Sequence, residues 1–400
     1  MTELPEPARP HDPTPIAKAE AAPEDPFAPV RVREPELETP AGWIDIDRVR
    51  SNLAKVMAYL TDRGLEWRPH VKTHKSPWLA GLQLEAGASG LTVATPREAE
   101  VMATVASDLM LAHPPLRRKA ERVVRIPPEV RLRVALDSLE SLRALEAAAH
   151  GAGREVGILV EIDVGMGRVG VPDGAAAIEL ARAANASPCL TFDGVLFYPG
   201  HIRTTGEERR RRIGRTSERL SEFLAALEAD GLPAGIVSGG STPTLWESHL
   251  FAGVTEIRAG TCIFHDRDMV ELGVASPEEV AYWVRALVVS VVPGVRAVVD
   301  AGSKALSKEA FRGDGRGFAV LMDPPHLAVG SLSEEHGVID LEGSEWAPRV
   351  GDAVRILPNH VCVSVNLQDR LLLAPDAEHS THRALPLPGR GRLPWVDAGG

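Results

Sequence analysis

The chain has 400 residues and a formal net charge of −11; 44% of its residues are hydrophobic and 25% are charged. This composition is typical of a soluble globular protein with one large domain or two ordinary ones, and the acidic balance argues against nucleic acid as a partner. No apolar run approaches the ~20 residues that a membrane-spanning helix needs, and the N-terminus lacks the pattern of a signal peptide, so no membrane partner is expected.

The first part of the chain predicts a tail followed by the start of the fold. Residues 1–30 are rich in Pro, Ala and Glu and lack a periodic apolar pattern, so we expect a disordered tail. The fold is expected to begin near residue 39, with a short strand at 43–46. A helix through Leu60 follows, with Asp47 as its predicted N-cap.

Residues 39–275 repeat one unit, which consists of an apolar strand, a polar loop and an amphipathic helix. Eight such units in this length predict a (β/α)8 barrel. An open, doubly wound sheet is the alternative, but no Gly-rich dinucleotide fingerprint follows the first strand. The predicted strands are 65–72, 90–94, 108–112, 130–136, 156–162, 194–198, 236–238 and 254–258.

After residue 275 the pattern changes to short strands without long helices, which predicts a second domain of β type over residues 276–375. It starts with a predicted hairpin of strands 280–292 and 295–299 around Pro293 and Gly294. Further strands are predicted at 318–322, 336–341, 353–357 and 361–365. Residues 376–400 are expected to form a tail or a terminal strand.

Polar side chains gather at the predicted strand ends of the barrel. In this fold the carboxyl ends of the strands carry the active site, so the bunching predicts a site there. The residues concerned are Lys72, Thr92, His113, Asp137, Asp163, Tyr198, His201, Ser238 and Arg258.

The first strand carries a basic motif at residues 68–75, RPHVKTHK. Alternate side chains of a strand share a face, so Arg68, His70 and Lys72 would point the same way. An unprotonated lysine amine at the mouth of a strand can form a Schiff base with an aldehyde. A basic surface strand or a phosphate-binding patch would show the same residues.

Two Gly-rich loops follow the seventh and eighth predicted strands, at residues 239–242 and 258–261. Loops at these positions of a barrel commonly bind a phosphate group, although either loop alone could be an ordinary tight turn. A phosphate site opposite a lysine on the first strand is the arrangement that pyridoxal phosphate requires.

A pair of candidate metal ligands lies in the second domain. His360 and Cys362 are two residues apart on a predicted strand, so both would face one side, and imidazole with thiolate is a zinc-type pair. Glu335 and His336 could add a third ligand or support the first two. A buried histidine and a buried cysteine without a metal are the alternative.

The three cysteines, Cys189, Cys262 and Cys362, are far apart and odd in number. This usage favours reduced thiols in a cytoplasmic protein.

The motif at 68–75 resembles the lysine motif of the D-serine dehydratase and D-threonine aldolase family, pyridoxal-phosphate enzymes with an alanine-racemase-like barrel. The resemblance extends over about residues 39–374. It includes the motifs at 165–170, 198–201, 238–242, 255–261, 300–304, 334–337 and 358–362. One departure is Cys262, which stands where related proteins often have a tyrosine near the phosphate.

The resemblance implies roles for individual residues. Lys72, and not Lys75, would carry the cofactor, and Arg168 would lie near its phenolic oxygen. His360 and Cys362 would bind a divalent metal, with zinc expected and manganese or magnesium as alternatives. The expected cofactor contacts are Lys72, His70, Arg168, Tyr198, Ser238, Gly239, Gly240, Ser241, Thr242, Arg258, Gly260 and Thr261.

The reaction implied by the resemblance is a lyase reaction on a D-3-hydroxy amino acid, in a homodimer. We expect dehydration of D-serine-type substrates to a keto acid and ammonia, with Lys72 taking the α-proton. Aldol cleavage to glycine and an aldehyde is the alternative, with His201 as a candidate base. An amino-acid racemase and a cofactor-binding protein without turnover are further alternatives, and the β domain with its metal pair argues against the last.

Overall fold

The computed structural model describes residues 27–33, 37–312, 317–324, 326–374 and 381–396. The predicted tail at 1–30 lies outside these residues except for its last four. None of the helices in the described ranges is long and apolar enough to cross a membrane.

The described strands and helices alternate regularly up to α8, and strands prevail afterwards. The strands are β1 Val30–Arg33, β2 Ala41–Asp45, β3 Glu66–Trp67, β4 Leu91–Val93, β5 Asp108–Leu111, β6 Arg131–Leu136, β7 Val156–Glu161, β8 Leu190–Leu196, β9 Ile236–Gly239, β10 Glu256–Ile257, β11 Tyr282–Val292, β12 Arg296–Val299, β13 Ala319–Leu321, β14 Ala328–Leu332, β15 Gly337–Asp340, β16 Ala353–Pro358, β17 Arg370–Ala374 and β18 Thr381–Pro386. The helices are α1 Ile46–Asp62, α2 Pro77–Glu85, α3 Pro96–Met102, α4 Arg118–Val123, α5 Leu139–Ala152, α6 Gly174–Ala186, α7 Gly206–Ala229, α8 Arg267–Glu271, α9 Ser303–Leu306 and α10 Val361–Leu367.

The predicted (β/α)8 barrel is confirmed. Eight parallel strands pair in the order β3-β10-β9-β8-β7-β6-β5-β4, and a parallel bridge between His70 and Thr92 closes the ring. The open-sheet alternative is therefore wrong. Apolar residues at helical spacing turn one face of each long helix inward, as with Val49, Leu53 and Leu60 of α1, all buried.

The first helix shows a small correction of the predicted cap. The Asp45 carboxylate accepts hydrogen bonds from the backbone N–H groups of Asp47 and Arg48, so Asp45 is the N-cap of α1 and Asp47 lies in its first turn. Both aspartates are acceptable cap residues. The hydrogen bonds, which the sequence does not reveal, decide between them.

The second sheet has ten strands and holds most of the chain after α8. Its order is β1-β18-β17-β2-β11-β12-β15-β14-β13-β16, and an additional β11–β16 pairing curls it onto itself. The predicted hairpin is present as β11 and β12, with Val292 opposite Arg296. Strand β2 pairs with β11 and β17, so it belongs to this sheet and not to the barrel, where the predicted boundary at residue 39 put it.

Two predicted strands differ from the structure near the site. Strand β3 ends at Trp67, and the chain turns into a 3₁₀ helix at Val71–Thr73 instead of running on to residue 72. The predicted strand at 361–365 is wrong, because this segment is helix α10. Its alternating Val-x-Val pattern predicts a strand, but Val361 and Val365 are both buried against the core, at a spacing of one helical turn.

A shared apolar core fixes the two sheets relative to each other. One cluster of buried side chains joins Trp67 and Ile257 of the barrel to Val284 and Ile356 of the second sheet and to Val361 of α10. Helix α10 therefore begins at this junction, and it packs against the 3₁₀ helix at Val71–Thr73 that follows β3.

Candidate active site

A cavity of about 410 Å³ opens at the carboxyl ends of the barrel strands. This end carries the active site in (β/α)8 enzymes. Most of the lining comes from the strand-end loops, and one residue comes from the start of α10. The predicted site residues that line the cavity are His70, Lys72, Arg168, Tyr198, Gly240, Ser241, Thr242, Arg258, Gly260, Thr261 and His360.

Lys72 and Lys75 have different surroundings, although they are one turn apart. Lys72 lines the cavity, and its Nζ lies 5.9 Å from the centre of the Tyr198 ring. The Lys75 ammonium is buried in an ion pair with Glu98, which also accepts a hydrogen bond from the backbone N–H of Ala94. The amine that can meet a ligand in the cavity is therefore that of Lys72.

Arg68 does not share the surroundings of Lys72. Its guanidinium donates to Glu256 at 2.9 Å and to Asp108 at 2.6 Å, and the side chain is buried. These carboxylates belong to the starts of β10 and β5, at the opposite end of the barrel from the cavity. The alternative interpretation of residues 68–75, a basic surface strand, is therefore excluded, because Arg68 is buried.

Tyr198 lies at one side of the cavity, next to the charged side chains of Lys72 and Arg168. The Arg168 guanidinium stands 4.9 Å from the centre of its ring, and Arg168 Nη2 lies 3.9 Å from Oε1 of Glu161. Glu161 is buried at the end of β7, and burial raises the pKa of its carboxyl although Arg258 and Arg168 oppose the shift.

Two buried polar atoms of cavity residues lack a hydrogen-bond partner among the described residues: Nε of Arg258 and Nδ1 of His70. Arg258 is held by its Nη2, which donates to the carbonyl of Phe197 at 2.6 Å. Burial, together with the charges of Lys72 and Arg258, lowers the pKa of His70 well below its ordinary value, so the ring is neutral. A ligand with several polar atoms would satisfy these groups.

The two Gly-rich loops line the cavity with backbone. Within the described ranges, the N–H groups of Gly240, Ser241 and Gly260 donate no hydrogen bond. Gly240 has a φ of +81°, which favours glycine. A Cβ on Gly260 would lie 2.2 Å from the His70 carbonyl oxygen, so only glycine fits there. Free N–H groups on two adjacent loops suit an anionic group such as a phosphate.

Three of the residues singled out in the sequence analysis lie behind the two Gly-rich loops and do not line the cavity. Ser238 is fully buried, with its Oγ 3.9 Å from the sulfur of Met110. A Cβ on Gly239 would stand 2.1 Å from the Phe197 ring, so packing leaves no room for a larger residue at this position. Cys262 is buried in the core, where burial raises the pKa of its thiol to about 12.

His201 does not line the cavity either. Its ring lies beside Gly165, and burial and the charge of Arg212 lower its pKa. The histidine that does line the cavity at this side is His113, whose Nε2 lies 3.3 Å from the Lys119 ammonium. His201, the residue predicted as the base for aldol cleavage, therefore lies outside the cavity lining, whereas His113 belongs to it.

His360 and Cys362 meet at the start of α10. His360 lines the cavity, and the Cys362 sulfur lies 3.3 Å from the Thr73 hydroxyl and 3.6 Å from that of Thr261. Thr73 follows Lys72 directly, so the pair stands beside the lysine. Burial alone would raise the pKa of the Cys362 thiol, but the adjacent His360 outweighs it and the pKa falls to about 7.

The pair fits a divalent metal by its donor types and orientation. His360 Nδ1 lies 2.9 Å from the carboxylate of Asp266, which leaves Nε2 as the second ring nitrogen. Imidazole and thiolate suit zinc. No group of three histidine, cysteine, aspartate or glutamate side chains suited to a metal occurs among the described residues, so the pair would provide two protein ligands.

Glu335 and His336 do not join this pair. Glu335 Oε1 accepts a hydrogen bond from the Lys304 ammonium at 2.8 Å on the surface, and both residues lie outside the cavity lining. The suggested third ligand from this segment is therefore wrong.

Three residues of the site are not predicted by the sequence reasoning. Glu161 precedes the residue at which the fifth strand was expected to end, so the strand-end pattern passed over it. Asp266 lies 94 residues from its partner His360, and no local pattern reveals such a contact. Arg203, which pairs with the buried Asp268, also lines the cavity.

The barrel, the cavity lysine and the loops with free N–H groups define the alanine-racemase-like class of barrel enzymes. The chain matches the family model for the alanine racemase N-terminal domain over residues 44–268. It also matches the model for a putative serine dehydratase domain over residues 281–374. The chain belongs to the D-serine dehydratase and D-threonine aldolase family, whose members are pyridoxal-phosphate enzymes.

Named relatives include both aldolases and dehydratases. The chain is 32% identical over 349 residues to 3-hydroxy-D-aspartate aldolase of Paracoccus denitrificans (strain Pd 1222), covering 84% of this chain and 88% of the relative. The crystal structure of D-threonine aldolase from Filomicrobium marinum superposes with a TM-score of 0.81 and 28% identity over 92% of this chain and 98% of that chain. A variant of D-threo-3-hydroxyaspartate dehydratase, solved in a metal-free form, gives a TM-score of 0.79 and 30% identity over 90% of this chain and 100% of that chain.

Proposed function

We propose that the protein is a lyase dependent on pyridoxal phosphate and a divalent metal, and that it dehydrates D-serine-type 3-hydroxy amino acids to a 2-keto acid and ammonia. One observation carries the proposal: Lys72 and His360 line the same cavity, and Cys362 lies next to Thr73 beside the lysine. The amine that would hold the cofactor and the ligands that would bind a Lewis acid would therefore meet the same substrate molecule.

The residues present fit pyridoxal phosphate. Lys72 Nζ would hold its aldehyde carbon, and the free N–H groups of Gly240, Ser241 and Gly260 would hold its phosphate. The cofactor, when bound, withdraws electrons from the α-carbon of an amino acid. Arg258 Nε, which lacks a partner among the described residues, would supply a further donor to the ring side of the cavity.

The residues present also fit the metal. Nε2 of His360 and Sγ of Cys362 would bind it, with zinc expected because thiolate favours zinc over manganese and magnesium. A bound divalent cation polarises the bond between the β-carbon and its hydroxyl. The hydroxyl groups of Thr73 and Thr261 flank the Cys362 sulfur and fix its position.

Proton transfer falls to Lys72 in this proposal. Its Nζ is the amine of the cavity, and it would take the proton from the substrate α-carbon once the substrate amine has replaced it. The D configuration follows from the family resemblance, which places the lysine on one fixed face of the cofactor. The Tyr198 ring lies beside both Lys72, whose Nζ is 5.9 Å from its centre, and Arg168, whose guanidinium is 4.9 Å from it.

Two observations favour dehydration over aldol cleavage. Cys362 gives the site a soft ligand, and His201, the candidate base for removing a hydroxyl proton, does not line the cavity. Aldol cleavage remains the second candidate, because two of the similar proteins are named aldolases. His113 would be its base, since it lines the cavity.

Product analysis separates the two reactions. Protein loaded with pyridoxal phosphate and zinc should release ammonia and pyruvate from D-serine, measured by coupled assays. Glycine and acetaldehyde from D-threonine, without ammonia from D-serine, would show aldol cleavage and overturn the dehydration proposal. Lys72→Ala, treated in the same way, is the blank for reactions of the free cofactor.

A further inference from the structure

A buried aspartate at the start of α8 contacts the candidate metal ligand. Oδ2 of Asp266 lies 2.9 Å from Nδ1 of His360 and accepts the backbone N–H of Val361 at 3.0 Å. Its other oxygen, Oδ1, accepts the N–H of Met269 at 3.0 Å and so caps α8. The side chain is fully buried, and each carboxylate oxygen faces a donor.

We propose that Asp266 is the positioning residue of the metal site, in that it fixes the ring of His360 so that Nε2 faces the cavity. Both carboxylate oxygens of Asp266 already accept backbone N–H groups, so the Nδ1 that faces Oδ2 is the donor of this contact and carries the proton. The remaining nitrogen, Nε2, is then the one that can bind a cation. Carboxylates that orient histidine ligands in this way commonly govern metal affinity. The inference rests on the metal of the proposed function.

The contact joins two parts of the chain that carry the two halves of the site. Asp266 follows the barrel strand β10 and the loop with Gly260 and Thr261, whereas His360 follows strand β16 of the second sheet. The backbone N–H of Asp268 also donates to the carbonyl of Asn359 at 3.3 Å. The segment that lines the cofactor cavity therefore also sets the position of the metal ligand.

Aspartate is required at position 266 because both of its carboxylate oxygens accept hydrogen bonds. In Asp266→Asn, the amide nitrogen must replace one oxygen and so faces an N–H donor. If it faces His360 and Val361, the ring loses its partner; if it faces Met269, α8 loses its cap. Asp266→Ser keeps one oxygen that can cap the helix but cannot also reach His360, so it isolates the loss of the ring contact.

Zinc affinity of the holoenzyme tests the proposal. Protein loaded with pyridoxal phosphate is stripped of metal and titrated with zinc against a chromophoric chelator, below its unfolding temperature. Asp266→Ser should bind zinc about 10- to 100-fold more weakly than the wild type, while the visible band of the cofactor stays. Asp266→Asn should either bind zinc more weakly or unfold at a lower temperature, according to which donor its amide nitrogen faces. The control is Asp173→Asn, since the Asp173 side chain likewise caps a helix, α6, and Asp173 is not among the residues that line the cavity; its zinc affinity should not change.

Two results would overturn the inference, and they differ. Wild-type zinc affinity in Asp266→Ser would remove the role of Asp266 and leave the metal site standing. A wild type that binds no zinc would remove the metal of the proposed function and this inference with it.

Discussion

Gly260 lies directly against His70, so that a Cβ on the glycine would stand 2.2 Å from the histidine carbonyl oxygen. The neighbouring atom is backbone and cannot move aside easily. The contact brings the loop after β10 onto the chain that leads to Lys72, and both loops line the cavity. Glycine is thus required by packing at the point where the loop after β10 meets the chain that leads to Lys72.

Gly260→Ala should destabilise the protein and weaken cofactor binding. Overpacking of this kind typically costs about 1–3 kcal/mol, and the shift would move Lys72 relative to Gly260. Urea unfolding and the retention of the visible cofactor band measure the two effects. Gly81→Ala is the matched control: Gly81 lies inside α2, and a Cβ added to it would meet no atom within 4 Å, so alanine should stabilise by up to about 1 kcal/mol. Equal stability of both variants would contradict the packing argument.

Borohydride reduction of the loaded protein should attach the cofactor to Lys72 and leave Lys75 free. Lys72 lines the cavity, whereas Lys75 is buried against Glu98. Peptide mapping by mass spectrometry locates the adduct. An adduct on Lys75 of the wild type would contradict the assignment of Lys72 as the lysine that carries the cofactor.

Lys75→Met should keep the adduct on Lys72 but lose stability, by about 3–5 kcal/mol, because it leaves the Glu98 carboxylate buried and unpaired. The double variant Lys75→Met with Glu98→Gln removes both charges and should recover part of the loss. Unfolding midpoints in urea measure this. If the double variant lost as much as the sum of the single ones, the ion pair would not explain the burial of Lys75.

The fold could be predicted from the sequence where each element has a local pattern. The barrel strands are short apolar runs that alternate with amphipathic helices, and eight of them leave few other architectures. The predicted first strand is too long, because β3 consists of Glu66 and Trp67 only, and beyond it the chain pairs through the single bridge of His70 to Thr92. Helix α10 was missed because its valines alternate as in a strand, while tertiary contacts such as Tyr282 Oη with Ser364 Oγ at 2.8 Å hold the helix.

The site was predicted where residues end strands or belong to a short motif, as with Lys72, Arg258 and His360. The other residues depend on contacts across the fold. His201 ends a strand-like run but turns toward Gly165, and Ser238 points to Met110 inside the barrel. Which way a side chain at a strand end turns depends on its neighbours in space, and a single sequence does not contain them.

Cys362 should be more reactive than Cys262 in the metal-free protein. Its thiol pKa falls to about 7 beside His360, so about half of it is thiolate at pH 7, and the fraction rises with pH. Cys262 is fully buried, with its thiol pKa raised to about 12. Alkylation with iodoacetamide, followed by mass spectrometry, should accelerate between pH 6 and 8 at Cys362. Zinc should suppress it, and modification that zinc leaves unchanged would count against Cys362 as a ligand.

His265 should make the protein less stable in mild acid. The ring is buried, its Nδ1 has no hydrogen-bond partner among the described residues, and burial lowers its pKa to about 4. In the unfolded chain a histidine has a pKa of about 6.5. Between these values the unfolded state binds more protons, so the contribution to stability is complete above pH 6.5 and is lost as the pH falls toward 4. At pH 5 the loss is about 2 kcal/mol for this one group.

His265→Asn removes the titrating ring and keeps the backbone, since asparagine tolerates the φ of +55° found at His265. Urea unfolding of wild type and variant at pH 7 and pH 5 measures the effect. The wild type should lose about 2 kcal/mol more than the variant between the two pH values, whereas the control His150→Asn, at an exposed position of α5, should lose as much as the wild type. An identical loss in His265→Asn would show that the ring is not buried and neutral in the folded protein.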